Sequence, residues 1–303
     1  MKALILAAGL GTRVRPFTFF RAKATLPLLG VPFIHYPLQY CSQNGIEEVI
    51  VNLHAHPDSV REAAGKEYQN VKVSYSFEGE ILGTAGAMRK AQSKLEGGPF
   101  IVMNSDMLTD IPLQEVMQSH HDREADITLV IMKDARFAQY GGLYFDGEPL
   151  RLSGFRTGTG ESYHYTGLQI VNPNVLEQIP EGQKSGIFTD IYPRILSEFK
   201  IYGFTYSGFW KEMGNLREYL RTGLELESHS LPERLRPAGI EPSIISSHAI
   251  IEDGAEVNDS IIMEGARIAS GARVNHCIIG WDVSVTGEVQ NQALARGILP
   301  YYF

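Results

Sequence analysis

The chain has 303 residues, 44% of them hydrophobic and 20% charged, enough for one large domain or two ordinary ones with a sizeable core. Its 27 Lys and Arg against 35 Asp and Glu give a net charge of −8, which argues against nonspecific binding to nucleic acid or to an anionic membrane. Cys41 and Cys277 stand far apart with no Cys-x-x-Cys or Cys/His spacing, which speaks against a disulfide framework or structural zinc and for a reducing compartment. The apolar run from Ala3 to Ala8 is too short for a signal-peptide core or a membrane span, so the expectation is a cytoplasmic protein without a targeting segment.

In chain order, Ala3 to Ala7, Glu48 to Leu53, Val71 to Ser76, Phe100 to Met103 and Ile127 to Met132 read as strands, being short and mostly rich in Ile, Leu and Val. Between them lie amphipathic helical patterns at Pro32 to Asn44, Asp58 to Ala64, Thr84 to Lys94 and Leu113 to His121. Further strands are expected at Gly142 to Phe145, Tyr165 to Val171 and Ile201 to Tyr206, and a last helix at Leu216 to Leu226. This alternation predicts an α/β fold with a Rossmann-like, mainly parallel mixed sheet flanked by helices and a ligand site beyond the carboxyl ends of its strands.

Pro232, Pro237, Gly239 and Pro242 punctuate the next stretch, so residues 1–226 are expected as one domain and 227–242 as a linker. Past it, Ile245, Ile251 and Val257 are spaced by six, as are Ile262, Ile268 and Val274, then Ile279 and Val285, with a five-residue slip between groups. Gly-Ala pairs recur at 254, 265 and 271. A hexapeptide repeat of this kind predicts a short left-handed parallel β-helix over 243–289, followed by a tail at 290–303. A stack of two or three coils is close to the minimum that can stand, so it is expected to lean on the first domain or on a second copy of the chain.

The first strand exits through Leu6-Ala7-Ala8-Gly9-Leu10-Gly11-Thr12-Arg13. Gly9 and Gly11 let the backbone turn and bring its N–H groups close to phosphate oxygens or a base, and Thr12 adds a hydroxyl. The dinucleotide fingerprint is excluded, because Val14 stands where its third glycine belongs, and no Gly-x-x-x-x-Gly-Lys-Ser/Thr occurs. Arg13, Arg15, Arg21 and Lys23 follow with no intervening acid; with Lys2 they make the first 46 residues a +5 segment inside an acidic chain. A compact anion is the expected partner of that loop. His54, His56 and His120-His121 lack a Glu or Cys at metal spacing and are not read as metal ligands.

The run LAAGLGTRVRPFTFFRAKATLP from Leu6 to Pro27 resembles the signature of the sugar-1-phosphate nucleotidylyltransferases. Further segments carry the likeness: Glu80-Ile81-Leu82-Gly83-Thr84-Ala85-Gly86, Val102-Met103-Asn104-Ser105-Asp106, Tyr165-Thr166-Gly167, and Gly208-Phe209-Trp210-Lys211-Glu212-Met213-Gly214. Within the family the chain is most similar to mannose-1-phosphate guanylyltransferase-like members and to N-acetylmuramate-1-phosphate uridylyltransferases. The resemblance implies joining of an NTP to a sugar 1-phosphate, with Arg13 on the departing pyrophosphate and Lys23 on the α-phosphate. It implies Mg²⁺ held by Asp106 and Glu212, and substrate contacts at Leu6, Ala8, Gly9, Gly11, Thr12, Gly83, Thr84, Gly141, Arg156, Thr166 and Gly167.

Four departures from the family pattern keep alternatives open. Glu212 stands where Asp is usual, Ala22-Lys23-Ala24 replaces Pro-Lys-Pro, Ser105 replaces a glycine, and residues 154–160 read GFRTGTG without the usual Glu-Lys pair. Uridylyl or thymidylyl transfer to another sugar 1-phosphate therefore stays open, as does a noncatalytic homologue that binds a nucleotide sugar. A hexapeptide-type acyltransferase would have only His248 and His276 as bases, and a glycosyltransferase would lack its paired Asp-x-Asp.

Overall fold

The computed structural model describes residues 1–133, 142–156, 160–229 and 243–303. β1 (Lys2–Leu6) leads through a loop of three short 3-10 turns to the hairpin β2 (Pro27–Leu28) and β3 (Val31–Pro32), then α1 (His35–Gln43), β4 (Glu48–Leu53) and α2 (Pro57–Ala64). β5 (Glu67–Tyr68), β6 (Val71–Phe77), α3 (Gly83–Lys90), α4 (Gln92–Leu95), β7 (Phe100–Asn104), β8 (Met107–Thr109), α5 (Leu113–Asp122) and β9 (Ile127–Met132) follow. The module closes with β10 (Leu143–Asp146), β11 (Arg151–Phe155), β12 (Glu161–Val171), α6 (Tyr192–Ile195), β13 (Ile201–Thr205), β14 (Trp210–Glu212) and α7 (Leu216–His229).

Among the described residues ten strands form one mixed sheet, ordered β10-β11-β13-β9-β12-β7-β1-β4-β6-β5. The part made by β7, β1, β4 and β6 is parallel, as the alternating pattern predicts. β12 then enters antiparallel to both β7 and β9, and antiparallel pairings fill most of the remaining half. Hydrophobic periodicity finds strands but carries no strand direction, and that is why the sheet is less parallel than expected. The run Lys-Ala-Leu-Ile-Leu of β1 does not alternate in polarity because both its faces are covered. Ala3 and Ile5 share an apolar cluster with Val49, Val51, Ile101 and Met103 and with Leu38 and Cys41 of α1. Leu4 turns the other way, toward Ile50, Val102 and Ala85 and Met88 of α3.

Residues 230–242, which hold most of the expected linker, lie outside the described residues. Beyond them come β15 (Ile250–Ile251), β16 (Glu256–Asn258), β17 (Ile261–Ile262), β18 (Arg267–Ile268), β19 (Arg273–Asn275), β20 (Ile278–Ile279), β21 (Ser284–Val285), β22 (Glu288–Gln290), β23 (Gln292–Leu294) and β24 (Tyr301–Tyr302). They form three stacks: β15-β18-β21, β16-β19-β22 and β17-β20-β23, each parallel throughout, with β24 added antiparallel at the end of the third. Ile251, Ile268 and Val285 stand in register, seventeen residues apart, so the two six-residue steps and the five-residue slip make one turn of the stack. Inside, Ile262, Ile268, Val274, Ile279 and Val285 form a separate aliphatic cluster. The parallel stacking runs on to Leu294.

A third apolar cluster joins the two parts. It collects Val14 and Phe17 from the loop after β1, Leu26 and Leu28, Leu216, Tyr219 and Leu220 of α7, and Ile244, Ile261, Ile278 and Ala293 of the tail. Burial of each large side chain here, as for the fully enclosed Phe17, contributes roughly 1.5–3 kcal/mol. The basic loop is thereby fixed between sheet and tail: Trp281 meets the Phe17 ring edge-on at 6.2 Å, and the Arg21 guanidinium lies over Trp281 at 5.1 Å.

Candidate functional site

Leu6, the last residue of β1, is in register with Asn52 at the end of β4 and Asn104 at the end of β7. The ladder stops there, and the next two amides need other acceptors. Asn52 Oδ1 takes both, from Ala7 N at 2.6 Å and Ala8 N at 3.2 Å. The chain then opens at Gly9, where an added Cβ would meet nothing within 4 Å, and turns at Gly11 with φ 59°. A Cβ at Gly11 would come within 2.7 Å of the Thr18 methyl, while the Gly11 carbonyl accepts bonds from Thr18 Oγ1 and Val14 N. Both the backbone angle and the close approach require glycine. The turn Thr12–Val14 carries Arg13 across the site, where its guanidinium packs beside Gly214.

Opposite this loop, Asp106 follows β7 and Glu212 ends β14. The two are brought together by the antiparallel pair β8 and β14, in which Glu212 faces Met107, and by Met213 N donating to Asp106 O at 3.3 Å. Lys23 Nζ donates to Asp106 Oδ2 in an ion pair whose side chains are 16% and 10% exposed. Burial first, and then the Asp106 carboxylate, push the Glu212 carboxyl above the usual range, against the pull of Lys23 and Arg13. Four charged groups thus feel one another in a largely buried space. Two carboxylates, with neither sulfur nor imidazole beside them, form a hard, all-oxygen donor set, and they are short of the positive charge that would relieve their repulsion; this fits a divalent cation of the Mg²⁺ type, which takes few protein ligands. No group of three or more His, Cys, Asp or Glu suited to a metal occurs among the described residues.

The resulting cavity of about 460 Å³ is lined by Leu6, Gly9, Gly11, Thr12, Arg13, Lys23, Asp106 and Glu212, together with Ile81, Asn104, Ser105 and Gly214. A larger cavity of about 910 Å³, between α5 and β10, holds none of these residues and borders segments outside the described residues. Other expected site residues are less directly exposed to the smaller cavity. Ala8 is buried behind Asn52. Gly83 opens α3 with φ 72° tight against the Ser185 carbonyl, which also accepts the Ala85 amide, and Thr84 follows it; neither lines the cavity. Thr166 is enclosed, its hydroxyl donating to Val130 O at 2.9 Å and its carbonyl accepting from Trp210 Nε1 at 2.7 Å, so it shapes the site through Trp210. Gly167 lies against the Asn104 side chain. Arg156 is exposed at the end of β11, away from the cavity lining. Gly141 lies outside the described residues.

Asn52 and Glu78 escaped the sequence reading. Glu78, 1% exposed, accepts from Asn52 Nδ2 at 2.8 Å through Oε1 and from Leu82 N at 2.9 Å through Oε2. The available signal was a polar residue at the end of each of two neighbouring strands otherwise bound for the core.

A glycine turn, a basic loop and paired carboxylates at the carboxyl ends of parallel strands make up a phosphate-handling site on an open α/β sheet. Residues 2–229 match the Nucleotidyl transferase family, and the chain belongs to it. Residues 234–291 match the GlmU-like C-terminal hexapeptide family. Among its relatives, the mannose-1-phosphate guanyltransferase of Emericella nidulans is 31% identical over 268 residues, 85% of this chain and 73% of that one. The probable mannose-1-phosphate guanylyltransferase 2 of Arabidopsis thaliana is 29% identical over 86% of this chain and 74% of its own length. In structure the fold is like that of HddC from Yersinia pseudotuberculosis, with a TM-score of 0.65 and 23% identity over 74% of this chain and 99% of the other. No helix among the described residues is long and apolar enough to cross a membrane.

Proposed function

We propose that the chain transfers a nucleotidyl group from an NTP to a sugar 1-phosphate, giving an NDP-sugar and pyrophosphate, in the manner of the mannose-1-phosphate guanylyltransferases. The observation that carries this reading is the cluster of Arg13, Lys23, Asp106 and Glu212 beside the Gly9–Gly11 turn. In the reaction a sugar-phosphate oxygen bonds to the α-phosphorus while the bond from that phosphorus to the pyrophosphate oxygen breaks. The nucleophile is already anionic, so no protein base or covalent intermediate is needed; the task is to bring two anions together and to neutralise the charge that shifts onto the leaving group. The Arg13 fork suits two oxygens of the departing pyrophosphate, and Lys23 acts as a point charge toward the α-phosphate. Amides of Gly9, Gly11 and Thr12 supply donors to base and phosphate. Asp106 and Glu212 would hold Mg²⁺, which supplies positive charge to the α-phosphate oxygens when bound. Glu in place of the family's Asp is accommodated, because the Glu212 carboxyl responds electrostatically to Asp106, Lys23 and Arg13.

In this reading residues 1–226 are the catalytic domain, 227–242 a linker, and 243–289 a left-handed parallel β-helix with a tail at 290–303; the seventeen-residue turn of the stack supports the last assignment. The outer face of the β-helix is the surface for self-association, and two buried free cysteines suit a cytoplasmic setting. The Glu at 212 and the missing Glu-Lys pair favour a second reading, a noncatalytic homologue that binds an NDP-sugar. Pyrophosphate release measured over five NTPs and a panel of sugar 1-phosphates separates the two. Turnover with GTP and mannose 1-phosphate that is lost in Lys23→Ala supports the proposal, and turnover with UTP or dTTP redirects its specificity. Release no greater than that of the variant throughout, with nucleotide-sugar binding seen by calorimetry, favours the second reading.

A further inference from the structure

Two loops bound one side of the cavity, the exit of β1 at Ala7–Gly11 and the entry to α3 around Ile81. They belong to segments some seventy residues apart in sequence, and a continuous set of buried hydrogen bonds connects them. Ala7 N and Ala8 N donate to Asn52 Oδ1, Asn52 Nδ2 donates to Glu78 Oε1, and Leu82 N donates to Glu78 Oε2. Asn52 is 4% exposed and Glu78 1%. Each group has one consistent role: the Asn52 oxygen must face two amides, so its nitrogen must face Glu78, and a carboxylate that accepts on both oxygens must be ionised. Glu78 is itself held at the backbone, its carbonyl accepting from His54 Nδ1 at 2.9 Å and its amide donating to Leu53 O at 2.7 Å. A charge this deeply enclosed is costly unless every partner is present.

We propose that Asn52 and Glu78 are positioning residues for the nucleotide: without lining the cavity, they set the gap between the β1 exit and the α3 entry, and with it the fit and selection of the base. The inference rests on reading the cavity as the nucleotide site and deepens that reading. Its particular consequence is that exchanging the two functional groups should preserve the bracket. Asn52→Asp alone sets two carboxylates face to face. Glu78→Gln alone sets an NH₂ group against one of two donors. The double variant N52D/E78Q keeps every donor opposite an acceptor and keeps the net charge.

The test uses the full chain, with steady-state kinetics over the NTP panel and thermal unfolding of each variant. Each single substitution is expected to raise KM for the NTP about tenfold, a loss of the size seen when a buried charged hydrogen bond is broken, and to narrow the discrimination among NTPs. KM for the sugar 1-phosphate is expected to stay within about twofold, and the double variant to return to within about threefold of wild type. Glu78→Asp, which keeps the charge and shortens the arm by one methylene, gives a milder form expected to fold and to raise KM for the NTP about threefold. The inference is overturned if NTP KM is unmoved in the singles and in Glu78→Asp, if both substrates' KM values shift alike, or if the double is no better than the worse single. Should the wild type show no turnover, calorimetric NTP binding decides: tight wild-type binding that weakens in the singles and returns in the double supports the bracket, equal binding in all overturns it alone, and no binding by wild type overturns the reading of the cavity as well.

Discussion

At the carboxyl end of the sheet, Lys23 and Asp106 pair with side chains 16% and 10% exposed, beside a Glu212 whose carboxyl burial and Asp106 both disfavour in its charged form. In the hexapeptide stack the ion pairs Arg267 with Glu252 and Arg273 with Glu256 lie on the outside, and the interior holds aliphatic side chains. Pairs exposed to water contribute about 0–1 kcal/mol, and buried charges are seldom the most stable way to fill a space. The tail therefore places charge where it matters least to folding, while the sheet keeps charges where they cost stability. That cost is reasonable only where the charges have a further task, and the glycine turn at Gly9–Gly11 beside them shows what the task requires: room for a ligand with its own anionic groups.

The sharpest way to break this contrast is to remove a charge from the sheet site. Asp106→Asn is expected to lower kcat for nucleotidyl transfer by about 10²–10³-fold, the usual effect of deleting one charge-positioning group. Thermal stability is expected to hold or rise slightly, since the substitution relieves the repulsion acting on Glu212. Pyrophosphate release and a melting curve on the same preparation check both halves; a large fall in melting temperature with unchanged kcat would make Asp106 a structural residue like those of the tail.

The converse change is made inside the stack. Ile268 is fully buried between Ile251 of the turn before it and Val285 of the turn after. Ile268→Ala removes three heavy atoms from a packed column and is expected to cost about 2–4 kcal/mol of stability. Turnover per folded molecule is expected to stay near wild type, because Ile268 belongs to the aliphatic cluster of the stack and not to the one that encloses Phe17. Denaturant unfolding followed by activity on the folded fraction measures the two effects separately.

The same contrast decides what was legible in the sequence. The stack could be read almost residue by residue, since the aliphatic position of each short strand repeats along the chain and each turn rests on the next. Expected positions Ile251, Ile268 and Val285 fall in register. β1, β4 and β9 were equally legible as uninterrupted apolar strands. β8 and β14 were not, being three residues each and paired across about a hundred positions, yet they bring Glu212 to Asp106. Motif likeness found both carboxylates without the contact that joins them. It also brought in Thr166, whose hydroxyl is taken up by Val130 O, because a motif marks a position and does not tell a ligand contact from a support. Asn52 and Glu78 carry no local pattern; their role lies in hydrogen bonds among three segments of the chain.

The smallest expected effect lies where the two regions meet, and it sharpens the comparison most. Trp281 belongs to the tail, yet it touches the basic loop through the Phe17 edge and under the Arg21 guanidinium. If the tail only stabilises, Trp281→Ala should cost about 1–2 kcal/mol in lost ring and cation contacts and leave the kinetics alone. Phe17, however, lies in the segment between Arg13 and Lys23, and Thr18, the next residue, holds the Gly11 carbonyl at 2.8 Å. A loosened Phe17 should therefore reach the glycine turn, and the expected outcome is a rise of about two- to fivefold in KM for the NTP at unchanged KM for the sugar 1-phosphate, on top of the stability loss. Kinetics at a temperature well below the lowered melting point separate the two contributions. An NTP KM equal to wild type would confine the tail to stabilisation, whereas a raised one would make the stack part of the frame that holds the turn at Gly11.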